Sequence, residues 1–116
     1  MERSKVLTAL SALAHESRLD LVRLLMPLGA DGMAAGDIGR ALGLSASRLS
    51  FHLAALEQAG LIRSRRVARN VIYAVDAGGI GGTLGYLLHD CCMDTPEVRA
   101  CCEAAQADAV TGRQEP

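Results

Sequence analysis

A mainly helical fold with one small β-hairpin is what this sequence predicts, on three observations. Half of its 116 residues are apolar, chiefly Ala, Leu and Val, yet there is no Trp, one Phe and two Tyr, a supply that suits helices better than sheets. Apolar residues recur at helical spacing through most of the chain. Only Leu61 to Val75 reads as strand, in two runs joined by a tight connection. The length sets one domain with a modest core.

The elements follow in order. Val6, Leu7, Leu10, Leu13 and Ala14 mark a first helix from about Ser4 to Ala14. Leu19, Val22, Leu25 and Met26 form the stripe of a second, which Pro27, Gly29 and Gly32 end in a loop. A short third helix, Asp37 to Leu42, stops at Gly43, which suits the left-handed position past a helix end. Ser45 is a good N-cap for a fourth, running to about Ala59 and closed by Gly60.

Leu61–Val67 and Asn70–Val75 are the strands, with Ala68-Arg69-Asn70 as their connection. Gly78, Gly79, Gly81 and Gly82 are expected to break the chain before a fifth helix from about Thr83 to Cys92. Asp94-Thr95-Pro96-Glu97 signals a helix start, so a short sixth helix carries Cys101 and Cys102. Thr111 to Pro116 is expected to fray. A division follows at residues 1–92, the helix-turn-helix part, and 93–116, a tail holding part of the thiols.

Charge is arranged unevenly. The formal net charge is −1, which alone argues against a nucleic-acid binder. Between Asp37 and Arg69, however, six arginines face only Asp37 and Glu57, while the chain beyond Asn70 is acidic. Such sign asymmetry says more than the total. No apolar run approaches the roughly 20 residues of a membrane helix. The N-terminus lacks a secretory profile, so a cytoplasmic chain with reduced thiols is expected.

On the fourth helix Leu49, Leu53 and Leu56 share one face, with Ser47, Phe51 and Ala54 opposite and Arg48, Ser50 and Ala55 on the flanks. A Leu stripe behind small polar residues suits entry into a DNA major groove. An ordinary amphipathic helix with a solvated face explains the same pattern. The adjoining short helix, the turn at Gly43 and the arginine-rich hairpin favour the DNA reading. The expected DNA-facing set is Ser45, Ser47, Arg48, Ser50, Phe51 and His52, with Arg65, Arg66, Arg69 and Asn70 on the hairpin. His52, at the border of the buried face, is read as a packing or phosphate-contacting residue rather than a metal ligand.

All four cysteines form two adjacent pairs, Cys91-Cys92 and Cys101-Cys102, in one acidic stretch. That grouping suggests a soft-ion or redox site. Buried apolar cysteines are a poor explanation for two adjacent pairs, and structural Cys₄ zinc sites space their ligands by two to four residues. A thiol enzyme lacks support: there is no Cys-x-x-Cys, no general base nearby and no glycine-rich cofactor loop leading into a helix.

Leu13-Ala14-His15-Glu16-Ser17-Arg18-Leu19, Asp37-Ile38, Ala41 to Ser47, Leu49 to Ile62, Arg65-Arg66 and Val71-Ile72-Tyr73 resemble the ArsR-type family of winged-helix metal- and metalloid-responsive repressors. The resemblance spans roughly Leu7 to Leu88. It implies a homodimeric winged helix-turn-helix, paired through its first and fifth helices, that binds double-stranded operator DNA and is not an enzyme. The chain departs from the family pattern at Ala46, where Gln is common, and at Phe51, where a polar or basic residue is common. That leaves base readout to Ser47, Arg48 and Ser50, with Phe51 against a thymine methyl.

Two sites frequent in the family are absent: no thiol lies in Met33–Asp37, and His89-Asp90 has no second His at ligand spacing. The arrangement resembles the subset of arsenic sensors whose cysteines lie at the C-terminal end. Soft thiolates select soft ions, and As(III) or Sb(III) takes three sulfurs in a pyramid. The expected ligands are Cys91, Cys92, Cys101 and Cys102, brought together if the sixth helix folds back on the fifth or if Cys92 and Cys102 come from different subunits. No organic cofactor is expected. Redox or persulfide sensing through the same four thiols is the rival reading.

Overall fold

The computed structural model describes residues 1–111, so residues 112–116, part of the tail expected to fray, lie outside the described residues. Helix α1 runs Arg3–Leu13 and α2 Glu16–Leu25. A 3-10 segment, Met26–Asp31, takes the place of the loop expected after Pro27, kinked where Gly29 leaves helical geometry. The chain then forms β1 (Met33–Ala34), α3 (Ala35–Leu42), α4 (Ala46–Gln58), β2 (Ile62–Val67) and β3 (Asn70–Val75). Helix α5 is Ala77–Gly85, continued by a π-helical turn Tyr86–Cys91, and α6 is Pro96–Thr111.

The caps follow the sequence chemistry. Ser45 Oγ accepts from the Arg48 amide at 3.4 Å, and Gly43 ends α3 with φ 66°. His15 caps α2, its Nδ1 accepting from the Ser17 amide at 3.2 Å. The sheet order is β1-β3-β2, all antiparallel. Its third strand, β1, is only two residues long, paired Met33 with Tyr73 and Ala34 with Ile72. The hairpin register runs from Ile62 opposite Val75 to Val67 opposite Asn70, so Ala68 and Arg69 alone make the turn.

The glycine-rich stretch is the main correction. It lies inside α5 rather than before it. Asp76 starts the helix by accepting the Gly79 amide on Oδ1 at 3.1 Å, and its carbonyl accepts from Ile80 at 3.0 Å. A Cβ placed on Gly79 would stand 1.7 Å from the Gly60 carbonyl oxygen. The missing side chain lets α5 lie against the turn that ends α4, which outweighs the poor helix propensity of glycine.

Two compact units divide the chain, Met1–Thr83 and Leu84–Pro116. The boundary between these units falls within α5, and it places all four cysteines in the second unit. The core of the first unit gathers Leu21, Leu25, Ile38, Leu49, Leu53, Leu56, Leu61 and Ile62. In the second, no described residue from Leu84 to Ala105 is buried. Among the described residues no helix is long and apolar enough to cross a membrane.

Candidate nucleic-acid interface and thiol segment

Helix α4 is held from behind and open in front. Leu49, Leu53 and Leu56 are buried, whereas Ser47, Arg48, Ser50 and Ala54 are exposed and Phe51 is 64% exposed. Exposing a phenyl ring costs hydrophobic free energy unless a partner covers it. Here it stands among short hydroxyls and an arginine, on the face a groove would meet. Ser45 is exposed at the N-terminus of the helix, where amide groups and the helix dipole favour a phosphate.

His52 is the buried member of the expected DNA-facing set. At 4% exposure it packs against its neighbours. Its Nδ1 accepts from Arg18 Nε at 3.1 Å, and its ring lies 4.6 Å from that of His15 and edge-on to Phe51 at 5.5 Å. The same Arg18 donates to the Ala12 carbonyl at 3.4 Å and lies over the Phe51 ring at 5.4 Å. Arg18 is thus a supporting residue that the pattern of α4 alone does not reveal. Arg18 lies in the first turn of α2, three residues after its capping residue His15. Burial lowers the His52 pKa, aided by the nearby His15, Arg18 and Arg48.

The hairpin carries its arginines in two different ways. Arg65 donates to the carbonyls of Ala30 and Asp31, at 2.9 and 3.2 Å, and so ties the hairpin to the 3-10 segment. Arg66, Arg69 and Asn70 are exposed, and neither arginine has a salt-bridge partner among the described residues. Ser64 donates to Glu57 at 2.7 Å, linking β2 to the end of α4. Glu57 is thereby engaged with the hairpin. Along the exposed edge from Arg48 to Arg69 the free charges are positive.

In the second unit all four cysteines are free thiols, with Cys91, Cys101 and Cys102 exposed and Cys92 half-buried. Cys92 is held above the usual thiol pKa by partial burial first, then by the neighbouring Cys91. Met93 and Asp94 follow with φ 55° and 53°, left-handed geometry that is costly for non-glycine residues. Asp94 is clamped there by His89 Nδ1 at 2.5 Å and by Arg99 at 2.7 Å. Those contacts, Arg99 first, hold its carboxyl below the usual carboxylate range. Thr95 closes the turn by donating to the Cys92 carbonyl at 2.6 Å.

The second pair is not drawn to the first. Every described side chain of α6, from Pro96 to Ala105, is exposed, so this helix does not fold back over the Cys91-Cys92 end. Among the described residues no three His, Cys, Asp or Glu side chains are arranged to hold an ion.

Comparison with known proteins gives a concordant result. A helix-turn-helix domain model matches residues 13–65. The HTH-type transcriptional regulator YgaV of Escherichia coli is 35% identical over 83 residues, covering 72% of this chain and 82% of that protein. The solved structure of HlyU from Vibrio cholerae superposes with a TM-score of 0.62 at 33% identity, covering 78% of this chain and 96% of the other. An ArsR-like transcriptional regulator from Rhodococcus shares the fold, with a TM-score of 0.67 over 88% of this chain and 93% of the other at 24% identity.

Proposed function

The chain belongs to the ArsR-type family of winged helix-turn-helix transcriptional regulators, and from that premise we propose that it is a homodimeric repressor released from its operator when As(III) or Sb(III) binds the C-terminal thiols. Pairing runs through α1 and the fifth helical segment, as the resemblance implies. A dimer presents two α4 helices, and tight binding needs them about 34–36 Å apart in successive major grooves. The DNA-facing residues are Ser45, Ser47, Arg48, Ser50 and Phe51 on α4, with Arg66, Arg69 and Asn70 on the hairpin.

One observation carries the effector half of this reading. Four unpaired thiols occupy a single short segment, and three of them are open to solvent. Soft thiolates prefer soft acceptors to oxygen-seeking ions. The helix that begins at Ala77 against Gly60 continues without interruption to Cys91, so an ion that reorders the thiols acts on the end of the element that leaves the DNA-binding unit.

The rival reading is oxidation of the same thiols, favoured by the exposure of Cys91, Cys101 and Cys102. Operator binding under a phosphine reductant separates the two. As(III) and Sb(III) are expected to release DNA at far lower concentration than Zn(II), while peroxide is without effect. DNA binding that persists in fully reduced, arsenic-loaded protein overturns the metalloid reading and leaves the redox sensor.

A further inference from the structure

We propose that the cleft between α3, α4 and β3 is a ligand site for a small aromatic carboxylate, whose binding excludes DNA from the same surface. This inference rests on the DNA-facing residues assigned above and uses none of the cysteines. The cleft is a hollow of ≈ 480 Å³ inside the first unit, lined by Gly39 and Arg40 of α3, Leu49 and Ser50 of α4, and Val71 and Tyr73 of β3. Leu44 and Leu53 complete its apolar floor. Small-molecule sites have this size and this character, apolar walls with a few placed polar groups.

Charge at the mouth selects the ligand. Arg40 lies over Gly36, where a Cβ would stand 3.7 Å from Nη1. Asp37 pairs with its Nη2, and the rest of the guanidinium has no partner among the described residues. Arg66 is opposite Val71 in the hairpin register, and directly opposed residues share a face of the sheet. A second guanidinium, without a salt-bridge partner among the described residues, therefore borders the same mouth. Two forked cations beside an apolar hollow match a carboxylate joined to an apolar body. A DNA phosphate satisfies the charge but leaves the hollow unfilled. A planar ring fits the walls, because Tyr73 offers a face for offset stacking and α3 presents bare backbone at Gly36 and Gly39. The hydroxyls of Ser50 and Tyr73 add donors. Burial first, then Glu57, raises the Tyr73 pKa from 10.0, so its phenol stays protonated. Ser50 and Arg66 belong to the DNA-facing set, so an occupant of the cleft and a DNA strand compete for them.

Cinnamate is the probe, with cinnamyl alcohol as its uncharged counterpart, added to the full chain labelled with ¹⁵N. Amide shifts are expected to move saturably, within the millimolar range, at Gly36, Gly39, Leu44, Ser50 and Val71. The alcohol should bind about tenfold more weakly, the loss of one charge-assisted contact. Arg40→Gln should show the same loss, partly recovered in Arg40→Lys. Ala46 lines the cleft from the exposed first turn of α4, so Ala46→Leu should abolish binding while amide shifts elsewhere match wild type. At matched ionic strength, cinnamate should displace wild type from a fluorescent DNA duplex and the alcohol should not. No shift at millimolar cinnamate, shifts confined outside the cleft, equal binding of the alcohol, or undiminished binding by Ala46→Leu each overturns the inference. A ternary complex of protein, duplex and cinnamate overturns it too, while leaving the DNA-binding reading intact. Protein that binds no duplex at all removes that reading, and this inference with it.

Discussion

Arg18 Nε donates to His52 Nδ1 at 3.1 Å, so a side chain of α2 fixes the ring on the buried side of the recognition helix. The bond requires Nδ1 to be unprotonated, leaving the ring proton on Nε2. Because Arg18 also reaches the Ala12 carbonyl and covers Phe51, one guanidinium joins the end of α1 to both faces of α4. Replacing it with Ala removes a charge-assisted bond to a buried acceptor, which costs about 1.5–3 kcal/mol. Thermal or denaturant unfolding is the measure. The loss is expected to persist in Arg18→Lys, whose ammonium lacks the planar fork needed to serve all three partners.

Acid should weaken the fold through His52. Its pKa is lowered from 6.5 by burial first, with His15, Arg18 and Arg48 as the facing charges. Above pH 6.5 the ring is neutral in both folded and unfolded chains and costs nothing. As pH falls below 6.5 the unfolded chain takes up a proton that the folded one refuses, so stability drops until the lowered folded value is reached. Denaturant midpoints from pH 7.5 to 5 are expected to fall more steeply in wild type than in His52→Gln, whose amide oxygen still accepts from Arg18. Equal slopes would remove His52 from the acid response.

Arg66 and Arg65 should separate DNA contact from hairpin support. Arg66 is exposed with no salt-bridge partner among the described residues. Arg66→Ala is therefore expected to weaken binding to all sequences alike and to lower the salt dependence by about one counterion. Its folding stability should stay within about 0.5 kcal/mol of wild type. Arg65 holds the Ala30 and Asp31 carbonyls, so Arg65→Ala should lose stability as well. An unchanged salt slope in the Arg66 variant would take that residue out of the interface.

Much of this was legible in the sequence where local chemistry and tertiary context agree. Ser45, Gly43 and Gly60 mark real ends, and the Leu49, Leu53, Leu56 stripe is the buried face of α4. The sequence misled where a long-range contact decides the matter. The glycines after Asp76 read as a break because their low helix propensity is a local property, whereas the Gly60 carbonyl that needs Gly79 bare is nineteen residues away. Strand β1 is invisible at two residues, since only pairing with β3 defines it. Adjacency of the cysteines in sequence fixed their membership of one unit, but not the direction in which α6 leaves the Asp94 turn.

Two glycines of α5 should respond in opposite senses to the same substitution. In Gly79→Ala the new methyl would meet the Gly60 oxygen at 1.7 Å, and the atom in the way is backbone. Relief requires α5 to move from the end of α4, so the cost is expected at or above the upper end of the ~1–3 kcal/mol typical of overpacking. At Gly81 nothing lies within 4 Å of the added carbon, and the residue sits inside a helix. Gly81→Ala there only narrows the unfolded ensemble and raises helix propensity, a gain of about 0.4–1 kcal/mol. Denaturant unfolding of both variants, with circular dichroism to follow helix content, reads the difference. Comparable stability of Gly79→Ala and Gly81→Ala would mean that the approach of α5 to Gly60 does not need a bare backbone.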